Sequence, residues 1–311
     1  MNESPVPKPT FSLRAGHGIL PEIKRILLEQ VDYALFQLTT PGLDEDKAVH
    51  EARKSFKRIR AMLRLVREDI GEHAYRELNA LFRDAGRRLS EIRTSAVLDE
   101  TLERLHRRYP NQLSGHEVAE LAAHLRAHHE TMRREVIQGQ GLFQQVAAEL
   151  RRGRTQIEAL SLSENRFPVS GLCKVYARGR RGLKTCRRDP SVVHFHEWRK
   201  RVKYLRYQVR VLSPIWPEVL SCLTQELVTL SELLGVDHDL AELQRTLVER
   251  PELGLTGRGQ NKLLGLIEAY RAELEAHSFS KGARIYAEKP SVFAARMVTY
   301  WQIWSDEHAR L

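Results

Sequence analysis

The sequence predicts an all-α protein built from two related halves. Helical periodicity runs through almost the whole chain, and no stretch shows the sustained alternation of a β-strand. A basic segment that begins at His50 recurs from His196, so we expect two pseudo-twofold-related four-helix bundles packed around a basic central groove. Breaks rich in proline, glycine or serine separate about eight helices, expected over residues 17–38, 43–70, 73–106, 114–156, 168–187, 190–213, 215–248 and 258–306.

Several residues mark the ends of these elements. Asp44 is the expected N-cap of the first basic helix, and Asp189 that of the second, with Pro190 as its first helical residue. Pro290 is expected to kink or split the last helix, because proline removes an internal hydrogen bond. We expect a disordered lead over residues 1–12, an N-terminal half over 13–160 and a C-terminal half over 161–311.

Each copy of the basic segment predicts an amphipathic helix. At about 100° per residue, its His, Arg and Lys side chains fall within one arc of roughly 120°, and the apolar side chains fall opposite. We call these arcs the two cationic ribbons. The first ribbon is His50, Arg53, Lys54, Lys57, Arg60 and Arg64, and the second is His196, Arg199, Lys200, Lys203, Arg206 and Arg210.

The ribbons favour an anion-binding role over simple solvation. A solvated helix face normally interleaves acids with bases, because pairs of like charge at i, i+4 are unfavourable. The acids nearest each ribbon, Glu51 and Glu197, lie outside its arc. A third basic run, Lys174–Arg188, contains no acid and is expected to lie beside the second ribbon. We therefore predict one polyanion site to which Arg178, Arg180, Arg181 and Tyr207 also contribute.

The composition agrees with an anionic partner. The net charge is +10 and the isoelectric point about 9.6, which suit nucleic acid, an acidic membrane surface or a phosphate polymer. Three cysteines without metal-like spacing suit a reducing cytoplasm. No uninterrupted apolar run approaches the roughly 18 residues that span a bilayer, and the N-terminus lacks a signal-peptide pattern. We expect a cytoplasmic protein without a membrane partner.

Motifs for catalysis are scarce. The pairs His194/His196 and His128/His129 lack a completing acid or cysteine, so we predict no metal site. His238-Asp239 has no neighbouring nucleophile, which favours a structural role at a helix terminus. No P-loop or dinucleotide fingerprint is present. Phosphoryl transfer normally needs carboxylates to hold Mg²⁺. We therefore predict no cofactor, no catalytic residue and a site that holds phosphate rather than cleaving it.

Taken together, these motifs resemble the CHAD family, the conserved-histidine α-helical domain. The His-Arg-Lys spacing of both ribbons, Tyr176 to Arg181, Leu233 to Leu240 and Arg284 to Pro290 carry the resemblance. It implies binding of inorganic polyphosphate in a basic channel and association with polyphosphate granules. Ser90 and Thr94 occupy the places of Gly235 and Asp239, so the halves differ there. The E-x-E-x-K strand of the triphosphate-tunnel domains that accompany many relatives is absent.

Three alternatives remain open from the sequence. A nucleic-acid-binding protein would share the charge, although the ribbons carry few aromatic residues for base stacking. A phosphohydrolase or phosphotransferase would act on the same ligands, and a helical scaffold would dock an acidic protein. Other polyanions are expected to bind at low salt. His50 and His196 are expected to gain charge beside phosphate, which would favour binding at mildly acidic pH.

Overall fold

The computed structural model describes residues 8–135, 141–255 and 257–308, and its regular structure there is entirely helical. This confirms the all-α prediction. The α-helices are α1 (Ile19–Thr39), α2 (Glu45–Leu65), α3 (Arg67–Ile70), α4 (Glu72–Arg88), α5 (Ser90–Arg108), α6 (Gly115–Arg133), α7 (Leu142–Glu158), α8 (Val169–Arg188), α9 (Val192–Leu212), α10 (Pro217–Glu249), α11 (Gly257–Ile285) and α12 (Pro290–His308).

The two basic helices begin at well-defined caps. The Asp44 side chain accepts the Lys47 N–H at 2.8 Å, which confirms the predicted N-cap of α2. The prediction for α9 is wrong by two residues, because Ser191 is its N-cap and accepts the His194 N–H. Asp189 instead closes α8, since its own N–H donates to the Thr185 carbonyl.

Some predicted helices are divided in the structure. The helix expected over 73–106 breaks at Leu89 into α4 and α5, and the helix expected over 43–70 breaks at Val66. The helix expected over 114–156 becomes α6 and α7, and Gly141, with φ +57°, precedes α7. Pro290 opens α12, which confirms the predicted split of the last helix.

The larger of two hydrophobic cores joins α1, α2, α4 and α7 to α8, α9, α12 and the first part of α10. Trp198 of α9 is completely buried at its centre, against Gly182 and Gly282. Helices α2 and α8 approach so closely at Gly171 that a Cβ there would lie 1.8 Å from the Leu65 carbonyl oxygen. This contact fixes the basic helix α2 against α8.

The smaller core is a separate cluster of buried side chains. It joins α5 and α6 to the last part of α10 and the first part of α11, through leucines such as Leu102, Leu125, Leu243 and Leu263. Both cores draw side chains from either side of residue 160. The pseudo-twofold relation and the division into two bundles at that residue therefore stay predictions from the sequence repeat.

The packed chain begins earlier than the sequence predicted. Phe11 and Leu13 are buried, and the Leu13 N–H donates to the Val211 carbonyl at 3.2 Å. The expected disordered lead over residues 1–12 is thus corrected at its end, because Phe11 packs on Tyr207. Residues 1–7 of that lead lie outside the described residues.

Helix α10 is the longest element in the described part of the chain. By length and composition it is also the one helix there that could cross a membrane. Its leucines Leu227, Leu234, Leu240 and Leu243 are completely or almost completely buried in the two cores, so these apolar side chains already have partners within the chain.

Candidate functional site

The two cationic ribbons meet where α2 crosses α9. The Gln208 side-chain amide of α9 donates to the Ala61 carbonyl of α2 at 3.0 Å, and both groups are buried. Near this crossing the ribbons border two adjoining cavities of about 180 and 450 Å³. We call this pair of cavities the central groove. Both cavities are lined by Arg53, Lys57, Thr94, Arg199, Lys203, His238 and Glu242.

The charge of the central groove is strongly positive. Helices α4 and α5 complete one side and α10 the other. Nine cationic side chains and two carboxylates line the groove, and acids outside the lining pair with some of the cations, as Asp84 does with Arg83 and Glu197 with Lys200. The cations at its centre, Lys57 and Lys203, make no ion pair within the described residues. The nine cations are Arg53, Lys57, Arg60, Arg83, Arg87, Arg93, Arg199, Lys200 and Lys203, and the carboxylates are Asp239 and Glu242.

Two arginines of the groove are held by polar contacts. The Arg53 guanidinium donates to the Gly86 carbonyl of α4. The Arg199 guanidinium lies 3.9 Å from the Asp239 carboxylate, and its side chain is 17% exposed. The Nε atoms of both are buried without a hydrogen-bond partner in the described residues. These guanidinium groups therefore keep unused donor capacity for an anionic ligand.

Lys57 and Lys203 occupy the middle of the groove. Burial, together with the like charges of Arg53 and Arg199, lowers the pKa of Lys57 from 10.5 to about 7. Burial and Arg199 also lower the pKa of Lys203 well below its ordinary value. An anion would reverse both effects, because it stabilises the charged ammonium form. A negative ligand in the groove would therefore favour the charged form of both lysines.

The histidines of the groove behave differently from the expectation. His196 and His238 face each other with their Nδ1 atoms 3.3 Å apart, which allows one ring to donate to the other. Burial and the nearby cations lower the pKa of His238 to about 2. Burial also lowers the pKa values of His50 and His196. The rings are therefore neutral near pH 7, and the group poised to gain a proton at that pH is Lys57.

The carboxylates of α10 correct the view of His238-Asp239 as a helix terminus. Both residues lie in the interior of α10 and line the groove. Burial raises the pKa of Asp239, although Arg199 opposes that shift. Asp237 points the other way and accepts from Arg271 at 2.9 Å. Across residues 8–135, 141–255 and 257–308, no group of three His, Cys, Asp or Glu side chains is placed to hold a metal ion.

The motif analysis missed several groove residues, among them Glu242 of α10 and four residues of α4 and α5. Arg83 and Arg87 are on α4, and Arg93 and Thr94 are on α5. Arg93 and Thr94 belong to the segment that aligns with the residues around His238 and Asp239 in the second half. The internal repeat could therefore have predicted them, because Arg93 and Thr94 align with a segment of α10 that lines the groove.

Eight predicted site residues line the central groove. They are His50, Arg53, Lys57, Arg60, His196, Arg199, Lys200 and Lys203. The acids beside the ribbons contact two of the predicted lysines. Glu51 pairs with Lys54 at 3.0 Å, and Glu197 pairs with Lys200. Lys54 has this counterion and lies outside the lining of the groove, whereas Lys200 lines it.

The ends of the ribbons lie beyond the groove. Arg64 is 9% exposed and stacks on Tyr204, with its guanidinium carbon 4.0 Å from the ring centroid. Arg206 stacks on Tyr207 at 4.7 Å, close enough to Lys203 to help lower the lysine pKa. Arg210 is exposed at the end of α9.

Tyr207 and the basic residues of α8 are placed away from the central groove, which corrects the expectation of direct contact. Tyr207 is buried because Phe11 and Arg206 cover its ring. The Arg180 Nε donates to the Tyr286 carbonyl at 3.1 Å, toward the α8–α12 contact. Arg178 and Arg181 line a separate cavity.

Comparison with protein families decides the identity. The CHAD domain matches residues 26–248, which cover α2, α4, α5, α8, α9 and all but the last residue of α10. The chain belongs to the CHAD family. The matched range contains all the residues of α2, α5 and α9 that line the central groove of this CHAD domain.

Solved structures share the fold of this CHAD domain. PptA from Streptomyces chartreusis is 17% identical with a TM-score of 0.56, over 86% of this chain and 99% of that one. The CHAD domain from the plant Ricinus communis is also 17% identical with a TM-score of 0.56, over 89% and 94% of the two chains. A search of curated protein sequences gives no match. At this identity the two structures establish the fold alone.

Proposed function

We propose that this CHAD domain binds inorganic polyphosphate in the central groove. The observation that carries the proposal is the meeting of two repeated cationic helices at one groove, where Lys57 and Lys203 are buried among like charges. Concentrating cations in this way is unfavourable unless a polyanion occupies the groove. Membership of the CHAD family and the polyphosphate binding that the family resemblance implies support the same ligand.

The environment of the aromatic side chains favours polyphosphate over nucleic acid. Tyr204 and Tyr207, which the sequence offered for base stacking, are 5% and 7% exposed and are covered by Arg64 and Arg206. Single-stranded nucleic-acid sites usually present exposed aromatic faces to the bases. A ligand with phosphate oxygens on every side and no bases suits a groove lined by guanidinium and ammonium groups.

We further propose a binding role without catalysis, in the cytoplasm and at polyphosphate granules. The two groove carboxylates lie among nine cations, and Asp239 is directed toward Arg199. That arrangement opposes the clustering of acids that holds Mg²⁺ for phosphoryl transfer. Granule association would follow from multivalent contact with a long polyphosphate chain.

A titration tests the proposal directly. Long-chain polyphosphate and an RNA of equal total charge are titrated against the full chain over a salt series, with free phosphate monitored in the presence of Mg²⁺ or Mn²⁺. We expect tighter binding of polyphosphate, a steep loss of affinity with salt and no phosphate release. Equal affinity for RNA would contradict selectivity, and release of phosphate would identify an enzyme.

A matched pair of variants locates the site. In the test variant, Arg53, Lys57, Arg199 and Lys203 are replaced by glutamine. In the control, four exposed cations away from the groove are replaced by glutamine, namely Arg107, Arg152, Lys184 and Arg188. Both variants lose the same formal charge. We expect loss of polyphosphate binding in the test variant alone, with the helical circular dichroism of both unchanged. Equal affinity in the two variants would place the site elsewhere.

A further inference from the structure

A second cationic cavity lies at the far end of α2, outside the central groove. It has a volume of about 570 Å³ and lies between α8 and the segment that joins α2 to α4. Its charged lining consists of Arg67, Glu68, Glu72, Lys174, Arg178 and Arg181. We call it the α8 cavity.

The charges of the α8 cavity are only partly paired. Glu68 pairs with Lys174, and Glu72 pairs with Arg67 at 2.7 Å. Within the described part of the chain, Arg178 and Arg181 make no ion pair, and α8 itself offers no acid between Lys174 and Arg188. Two exposed guanidinium groups therefore border a cavity in which the acids are already committed to other cations.

A buried arginine connects this cavity to the central groove. Arg64 stacks on Tyr204, which also lines the groove. On its other side the Arg64 guanidinium is 6.0 Å from the Tyr75 ring centroid, and Arg67 of the α8 cavity stacks on that same ring at 4.5 Å. Arg60, Arg64 and Arg67 thus follow one another from the groove to the α8 cavity, with Arg64 buried between the other two.

The charge state of Arg64 supports the same connection. Its side chain is more than nine-tenths buried, and its Nε has no hydrogen-bond partner in the described residues. Burial lowers its pKa, although the two tyrosine neighbours oppose the shift. Within the described residues, the Arg64 side chain donates to the Arg60 carbonyl at 2.6 Å. Arg64 therefore contributes positive charge between the groove and the α8 cavity without being exposed to a ligand.

We propose that the α8 cavity is a second phosphate subsite, which a polyphosphate chain reaches by leaving the central groove past Arg60 and passing over the surface that covers the buried Arg64. The proposal rests on the proposed function and extends it to chain length. Seven residues separate Arg60 from Arg67, which corresponds to about 10 Å along a helix. A chain of three phosphates occupies the groove alone, whereas a long chain contacts both sites and gains affinity by multivalency.

The experiment compares two ligands on one pair of variants. The test variant is Arg178→Glu with Arg181→Glu, and the control is Lys184→Glu with Arg188→Glu on the same helix, with the same change of charge. Tripolyphosphate and long-chain polyphosphate are titrated against each at several salt concentrations. Relative to the control, we expect the test variant to lose about tenfold in long-chain affinity and roughly two units of salt slope. Its affinity for tripolyphosphate should equal that of the control.

The other outcomes are distinguishable. Equal long-chain affinity in the two variants would overturn the second subsite while leaving the groove in place. An equal loss for both ligands would overturn it as well, because it would assign the two arginines to the groove or to its general field. Failure of the wild-type chain to bind either ligand would overturn the proposed function itself.

Discussion

Raising the pH from 7 to 9 is expected to weaken polyphosphate binding sharply, through Lys57. This ammonium faces Arg53 on its own helix, Arg199 on α9, Arg93 on α5 and the Asp239 carboxylate on α10. Its pKa in the free protein is about 7, so it is about half protonated at pH 7 and about 1% protonated at pH 9. A bound polyanion raises that pKa toward 10.5, and binding then takes up a proton.

The magnitude follows from proton linkage. The complex holds more protons than the free protein above pH 7, so the affinity falls as the pH rises. If the bound pKa lies between about 9 and 10.5, Lys57 alone costs roughly 25- to 50-fold in affinity between pH 7 and 9, because the loss approaches tenfold per pH unit only above the free pKa. Lys203, whose pKa is also depressed, steepens the dependence in the same direction.

Calorimetry measures this directly. Titrations with long-chain polyphosphate in buffers of different ionisation enthalpy, at constant ionic strength, give the number of protons taken up. The control is Lys57→Arg, which keeps the positive charge at pH 9 and should flatten the dependence. A change of less than twofold between pH 7 and 9 in the wild type would refute the reasoning, as would an equally steep dependence in the arginine variant.

Three further predictions concern single substitutions. Asp239→Asn should tighten polyphosphate binding several-fold, because it removes a groove anion, and a titration without metal measures this; weaker binding only in the presence of Mg²⁺ would instead make the carboxylate a metal ligand. Lys203→Met should weaken polyphosphate binding yet stabilise the free protein at pH 7 by about 1–2 kcal/mol, as measured by thermal denaturation. The gain is expected because burial disfavours the charged form of the lysine in the folded protein. Unchanged or lower stability would contradict this. Gly171→Ala should destabilise the protein by about 3 kcal/mol in urea denaturation, because the new Cβ meets the Leu65 carbonyl. The helical control Gly265→Ala has open space and should gain up to about 1 kcal/mol, so similar effects at both positions would show that helices α2 and α8 separate easily.

The main features of the site could be predicted from the sequence because each ribbon lies on one continuous helix. The spacing of His50 to Arg60 is a local property that helical geometry converts into a surface. The same holds for the Asp44 cap, whose hydrogen bond spans three residues. The contribution of α10 could not be obtained in this way, because Asp239 reaches Arg199 only through the packing of α10 on α9.

The errors in the helix boundaries also have a physical origin. No glycine or proline stands at the break itself, since the nearest glycine, Gly86, lies within α4, and Leu89 continues the apolar pattern and is completely buried. The apolar periodicity alone therefore predicts one helix where the structure has α4 and α5. The direction of Arg178 and Arg181 depends on how α8 is rotated about its axis. Gly171 packs against the α2 backbone at Leu65 and Gly182 against Trp198 of α9, and a helical pattern does not reveal these close contacts.

Helix α10 belongs to both hydrophobic cores and to the groove between them, and this constrains its length. One inserted residue ahead of Asp237 would turn everything beyond it by about 100°. Leu227 would keep its place in the larger core, whereas Asp239 would leave the groove and Leu243 would leave the smaller core. The aligned segment of the first half is interrupted at Leu89, where an insertion could be absorbed at the junction. We therefore expect length variation among related chains to be tolerated between α4 and α5 and to be excluded from the middle of α10.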